Sequence, residues 1–247
     1  MRQRFAAMLL ACAGLAAALV GGRGGLAQGG YRSALPLVLI PRPTPTLTPT
    51  PTPTPRPAVE LLSYSIFRPS GGSSSVYVAG EVQSNASGPV SYVRARFTFR
   101  DGAGGIVHSD YALTTIGCLL PGLKSPFQVN LTSFTVPWST CEAYLSWEPS
   151  TCRVHLLEVL EHSAYYAAQV YHVRGRARNT TPETRTYVQA VVTAYDAAGQ
   201  VVGTGHDYTE PRTLAPGQET LFDIEVRYYA GKPARTIDRY GVLVVED

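Results

Sequence analysis

The sequence predicts an all-β protein: two tandem antiparallel β-sandwich domains behind an export signal and a proline-threonine stalk. Three observations lead there. Apolar and polar residues alternate strictly along several stretches, the mark of strands with one buried face. A shift of 95 residues lays Val59–Val129 over Val154–Ile224 without a gap, with about a quarter of the positions identical. Aspartate, glycine and proline-glycine turn signals separate the alternating runs at the spacing of a sandwich.

The elements follow in chain order. Arg2 and Arg4 precede an apolar run, Phe5 to Val20, and Gly25-Leu26-Ala27 is a small-x-small cleavage site, so residues 1–27 read as a signal peptide. An uncleaved anchor and a lipid anchor at Cys12 are the alternatives. Residues 28–57 hold a short apolar patch, Leu35–Ile40, and then the almost pure proline-threonine run Pro41–Pro57. Such a run cannot build a core and favours the extended polyproline form, about 50 Å long at ~3.1 Å per residue. The two sandwich domains then occupy residues 58–150 and 151–247.

Inside each copy the pattern is β. Val93, Ala95, Phe97 and Phe99 point one way, and Tyr92, Arg94, Arg96, Thr98 and Arg100 the other. Val188, Ala190, Val192 and Ala194 repeat this against Tyr187, Gln189, Val191, Thr193 and Tyr195. Gly80 and Gly175 fall on the inward side of their strands, which implies a bulge or close backbone packing. Asp101–Gly104 and Asp196–Gly199 read as hairpin loops. Pro121-Gly122 and Pro216-Gly217 fit the centres of type II turns. Leu156–His162 is the one stretch that also fits a helix, but its counterpart Leu61–Phe67 reads as a strand.

With the signal removed, Cys118, Cys141 and Cys152 remain, and export permits a disulfide. Cys141 and Cys152 bracket the strand-like Glu142–Glu148, which holds them about 35 Å apart at ~3.3 Å per residue. A disulfide needs Cα atoms within about 7 Å. Cys118 therefore pairs with one of the other two. Cys118–Cys141 is the preferred pairing, since both lie at loop ends of the first domain. The leftover thiol stays free in a monomer or links two chains.

No Gly-x-Ser-x-Gly elbow and no His-Glu-x-x-His helix occurs, and no Cys-x-x-Cys or paired-histidine spacing points to a metal. His206-Asp207 reads as the exposed polar edge of a strand, and His155 and His162 with Glu158 and Glu161 as solvated side chains of the connection between the domains. The chain is read as non-catalytic and without a cofactor. A formal net charge of +3 does not argue for nucleic acid. The candidate binding residues are Arg174, Arg176 and Arg178, which alternate on one strand, with Arg185 in the next turn. Arg94, Arg96 and Arg100 form a similar row with Tyr92. Regularly spaced arginines grip anionic groups bidentately. Tyr228 and Tyr229 are the candidate aromatic platform for a glycan. Tyr165-Tyr166 and Trp138 are further aromatics, and Trp147 is read as core or as an interdomain contact.

Phe97-Thr98-Phe99-Arg100-Asp101 and Val192-Thr193-Ala194-Tyr195-Asp196 end a strand before the hairpin glycine. Gly175-Arg176-Ala177-Arg178-Asn179 precedes the second, and in the first copy the asparagine stands one place later, at Asn85. This order, seen twice over Val59–Asp247, resembles the FxLYD domain family, immunoglobulin-like modules of secreted bacterial proteins. The resemblance implies an immunoglobulin-like sandwich and export. It implies no activity, ligand or catalytic residue. The expectation is an exported cell-envelope or extracellular interaction module that binds an anionic polymer, a glycan or another envelope protein. A structural spacer without a ligand is the alternative, and a secreted hydrolase the remote one.

Overall fold

The computed structural model describes residues 56–67, 75–132, 134, 136–168, 170–228 and 236–246. The signal-peptide span, the stalk as far as Pro55, and Tyr229 lie outside them. The strands of the first half are β1 (Val59–Phe67), β2 (Val76–Ser84), β3 (Val90–Arg100), β4 (Ile106–Leu113), β5 (Cys118–Leu119), β6 (Lys124–Leu131) and β7 (Thr140–Pro149). Those of the second half are β8 (His155–Leu156), β9 (Glu158–Ala167), β10 (Val170–Arg178), β11 (Gln189–Tyr195), β12 (Val201–Tyr208), β13 (Glu219–Tyr228) and β14 (Arg239–Glu246). Among the described residues there is no helix, and the stretch from Leu156 to His162 is strand.

The first half carries two sheets. One runs β1-β2-β6; in the other β3 is central, with β4 on one side and β5 and β7 pairing it as well. Val76, Val78, Val82, Phe127 and Leu131 of the first sheet bury against Val93, Ala95, Phe97 and Phe99 of the second. The second half forms one seven-stranded sheet in the order β8-β14-β11-β12-β13-β10-β9. Strands β12 and β13 join only through Gly203↔Tyr228 and Thr204↔Arg227. The sheet therefore folds on itself there, and Val173, Phe222 and Ile224 of one part bury against Ala190, Val192 and Val244 of the other. The architecture is that of antiparallel sheets packed face to face, which fits a β-sandwich.

The local chemistry recurs 95 residues on. The Asp101 Oδ1 accepts the N–H groups of Ala103 and Gly105 at 2.9 and 2.8 Å, and Asp196 does the same for Ala198 and Gln200 at 3.0 and 2.9 Å. Gly104 and Gly199 close these loops at φ 86 and 78°, where a side chain is strained. At the proline-glycine turns the Gly122 N–H donates to the Ser84 carbonyl at 2.7 Å, and the Gly217 N–H to the Asn179 carbonyl at 2.8 Å. Ser84, and not Asn85, thus stands where Asn179 does. Gly80 pairs Phe127 and Gly175 pairs Phe222. A Cβ on Gly80 would lie 2.3 Å from the Phe127 ring, and one on Gly175 2.5 Å from the Phe222 ring. Each glycine is the flat seat of a core phenylalanine.

The preferred Cys118–Cys141 pairing is corrected. Cys118 bonds Cys152, with Cα atoms 5.8 Å apart, and Cys141 is free. The register of β3 explains it. Cys141 lies opposite Phe99, whereas Cys118 lies opposite Ser91. Those β3 positions are eight residues apart, about 26 Å at ~3.3 Å per residue. The chain leaving β7 at Pro149, opposite Val90, carries Cys152 back to Cys118.

All described residues belong to one compact unit. The two halves share their cores: Val191 and Val245 join the first-half cluster, and Phe67 and Ala79 the second. This accounts for the outward residues of β11. Val191 and Thr193 are buried because the β1-β2-β6 sheet covers them, whereas of their counterparts 95 residues earlier in β3 Arg96 is exposed and Thr98 only half-buried. Across this seam the Tyr195 hydroxyl donates to the Glu81 carboxylate at 2.6 Å, and Thr204 donates to Gln128 at 2.9 Å. Glu81 is only 4% exposed, and Lys124 approaches its other oxygen at 3.8 Å. Burial first, then the Glu81 hydrogen bond, pushes the Tyr195 hydroxyl pKa well above its ordinary value. Tyr195→Phe leaves a buried carboxylate short of a donor, and is expected to cost about 1–3 kcal/mol, read as a lower urea midpoint with an unchanged slope.

Candidate functional site

Period-two geometry sends alternate residues of β9, β10 and β13 to one outer face. On β10 these are His172, Arg174, Arg176 and Arg178. Their partners in register are Tyr165, Ser163, Glu161 and Glu158 on β9, and Glu225, Asp223, Leu221 and Glu219 on β13. The arginine row is therefore one face, but it is flanked by carboxylates.

Arg176 pairs Glu161 at 3.4 Å and Glu219 at 3.2 Å. Arg178 pairs Glu219 and reaches Glu158 at 4.0 Å. Its hydrogen bond to Glu219, reinforced by the Arg176 charge, holds that carboxyl below the ordinary glutamate pKa. Arg185 is buried: its guanidinium donates to Thr181 at 2.9 Å, Glu246 at 3.1 Å and Glu183 at 3.0 Å. It clamps the loop before β11 onto the end of β14. Arg174 differs. It makes no ion pair among the described residues, and its guanidinium lies over the Tyr165 ring at 5.1 Å. Tyr165 in turn stacks on His172 at 5.0 Å, and both bond Asp223, His172 at 3.1 Å. Donation to Asp223 raises the Tyr165 hydroxyl pKa.

Arg174 borders a groove of about 730 Å³. The segment after β12 lies along β13, with Glu210 and Leu221 exchanging backbone hydrogen bonds at 2.9 and 3.2 Å, so that Glu210 and Tyr208, the last residue of β12, join the groove lining. Leu221 and Tyr208, 61% and 53% exposed, give the groove its apolar surface. Glu161, Glu210 and Asp223 line it with Arg174. Beyond its end Tyr187 stands 6.2 Å from Tyr208, and Arg212 lies over both rings at 5.4 and 5.9 Å. Tyr187 is exposed and held at φ 55°, as its counterpart Tyr92 is at φ 51°. That conformation costs a bulky residue roughly 1–3 kcal/mol, and it aims both rings outward.

Several candidates are not brought together. Glu158 and Glu161 serve arginines, while His162 turns to the Tyr240 hydroxyl at 2.9 Å. Asp207 accepts the N–H of Tyr208 at 2.7 Å and not a proton from His206. Tyr228 ends β13, and Tyr229 lies outside the described residues. Trp138 and Trp147 pack against the first-half core. No group of three His, Cys, Asp or Glu that can hold a metal occurs among the described residues. Sequence reasoning missed Tyr208 at the end of β12, Glu210 and Arg212 in the segment after it, and Leu221 in β13, whose meeting no local pattern marks. The signal for Tyr187 was present in its match to Tyr92. No protein-family model matches the chain, and no curated protein matches it.

Proposed function

We propose that the chain is an exported, non-catalytic interaction module: two immunoglobulin-like domains of the FxLYD type, carried on a stalk and binding a glycan through the outer groove of the second domain. The observation that carries the reading is the groove itself. Exposed Tyr208 and Leu221 offer apolar surface to a sugar ring, and Glu161, Glu210, Asp223 and Arg174 around them offer acceptors and a donor fork for hydroxyl groups. Its carboxylates outnumber its unpaired cation, which favours an uncharged sugar over an anionic polymer at this place. The signal-like residues 1–27 and the proline-threonine run support export and display. The shared core and the Glu81–Tyr195 seam favour a stiff pair of domains, which also suits the spacer reading.

The test is pelleting of the full chain with wall and membrane fractions at low and high salt. Saturable binding that persists at high salt, and whose salt-resistant part Tyr208→Ala with Leu221→Ala removes, is the expected result. Absence of saturable binding at either salt would instead establish the spacer reading.

A further inference from the structure

The basic face that remains unneutralised lies in the first half. On the outer side of the β4-β3-β7 sheet, Arg96 sits between Tyr111 and Tyr144, and Arg94 between Leu113 and Ser146. Both arginines are exposed, and neither makes an ion pair among the described residues. Their guanidinium groups lie 5.8 and 6.0 Å from the Tyr111 ring, which holds two long side chains on one platform. Tyr144 is 70% exposed, Tyr111 46%, Leu113 49% and Tyr92 59%. The carboxylates of this face lie at its ends. Glu142 is engaged by Arg100 at 3.3 Å, and Glu148 lies opposite Ser91. This is the reverse of β10, where flanking strands supply the counter-charges.

We propose that this face binds an acidic polysaccharide, independently of the second-half groove. Arg94 and Arg96, whose backbone positions lie about 7 Å apart at ~3.3 Å per residue, carry guanidinium forks that take carboxylates bidentately. Tyr111 and Tyr144, on strands either side of β3 and so about 10 Å apart, offer ring faces to the sugars. Single-stranded nucleic acid also combines anions with stacking rings, but it carries a charge on every nucleotide and draws its affinity from many phosphate contacts. A window of two free cations closed by Glu142 and Glu148 suits a polymer with sparser charge.

The test titrates the full chain with hyaluronan, whose uronic acid recurs on every second sugar, against neutral dextran and oligothymidylate. Hyaluronan is expected to bind with a clear salt dependence, and dextran not to. Arg94→Ala with Arg96→Ala is expected to weaken binding roughly tenfold or more, and the two lysine replacements to restore part of it. Tyr144→Ala is expected to weaken it about fivefold with the salt slope unchanged. Arg212→Ala, in the other half, leaves it intact. Hyaluronan binding no better than dextran, equal binding by the double alanine variant, or tighter binding of oligothymidylate through the same arginines would each overturn the proposal. None of these outcomes touches the groove, whose test uses Tyr208 and Leu221.

Discussion

Phe97→Ala is expected to destabilise the whole described unit by roughly 3–5 kcal/mol, and to do so in one transition. Phe97 is fully buried at the centre of β3, with the rings of Tyr64 and Phe127 at 5.4 and 5.7 Å. Truncation removes the group around which the first two sheets close and leaves a cavity that rigid strands cannot fill. The effect should reach the second half, because Val191 and Val245 bury in the same cluster as Phe97. Trp138 and Trp147 both pack on the first-half core, and the chain has 2 tryptophans. Tryptophan-selective fluorescence therefore reports that core alone, while far-ultraviolet circular dichroism reports all strands. Coincident urea transitions, shifted together by the substitution, are expected. A fluorescence transition that moves alone would mean that the halves unfold independently despite their shared core. A melt unchanged by the substitution would mean that the β3 register is wrong.

The parts legible in the sequence were those written in local chemistry. Alternation placed Phe97 and Phe99 inward, the aspartate and glycine of the hairpin loops fixed their turns, and Gly80 and Gly175 announced a close approach. Each depends on residues a few positions apart. The disulfide was not legible, because choosing between Cys141 and Cys152 requires the register of β7 against β3, which is set by pairing across 40 residues or more of chain. The site failed for a related reason. The β10 arginines were seen, but their neutralisation comes from Glu158 and Glu161 on one neighbour and Glu219 on the other, and the neighbours of a strand follow from topology. The free basic face on β3 was in view as the row Arg94, Arg96 and Arg100. Only the strand order shows that Tyr111 and Tyr144, not acids, stand beside Arg96. The seam between the halves had a trace in the sequence: the outward residues of β11 are Val191, Thr193 and Tyr195 where β3 has Arg96, Thr98 and Arg100. A less polar outward face meant a covered one.

Cys118→Ser with Cys152→Ser is expected to cost roughly 2–4 kcal/mol, the usual effect of opening a loop of this size, since the two cysteines are 34 residues apart. That loop contains β6 and β7, and the bond ties the exit of β7 to β5, beside the start of β3. Its loss should loosen the connection that carries Val154 into the first-half core. Cys141 cannot substitute for either partner. It lies opposite Phe99 at the far end of β3, and burial, with the nearby Glu142 charge, pushes its thiol pKa up to about 11. The thiolate is the species that attacks a disulfide, so at pH 8 this thiol is nearly all protonated and slow to exchange. Urea melts of the wild-type chain with and without reductant should therefore differ by the same amount as the double serine variant does from wild type, while Cys141→Ser in oxidised protein stays close to wild type. A thiol-directed reagent at pH 8 should label Cys141 slowly in the folded protein and rapidly in urea. A wild-type melt indifferent to reductant would mean that no disulfide stabilises the chain, and a stability loss that follows Cys141 instead would move the bond back to the Cys118–Cys141 pairing that the cysteine positions alone first suggested.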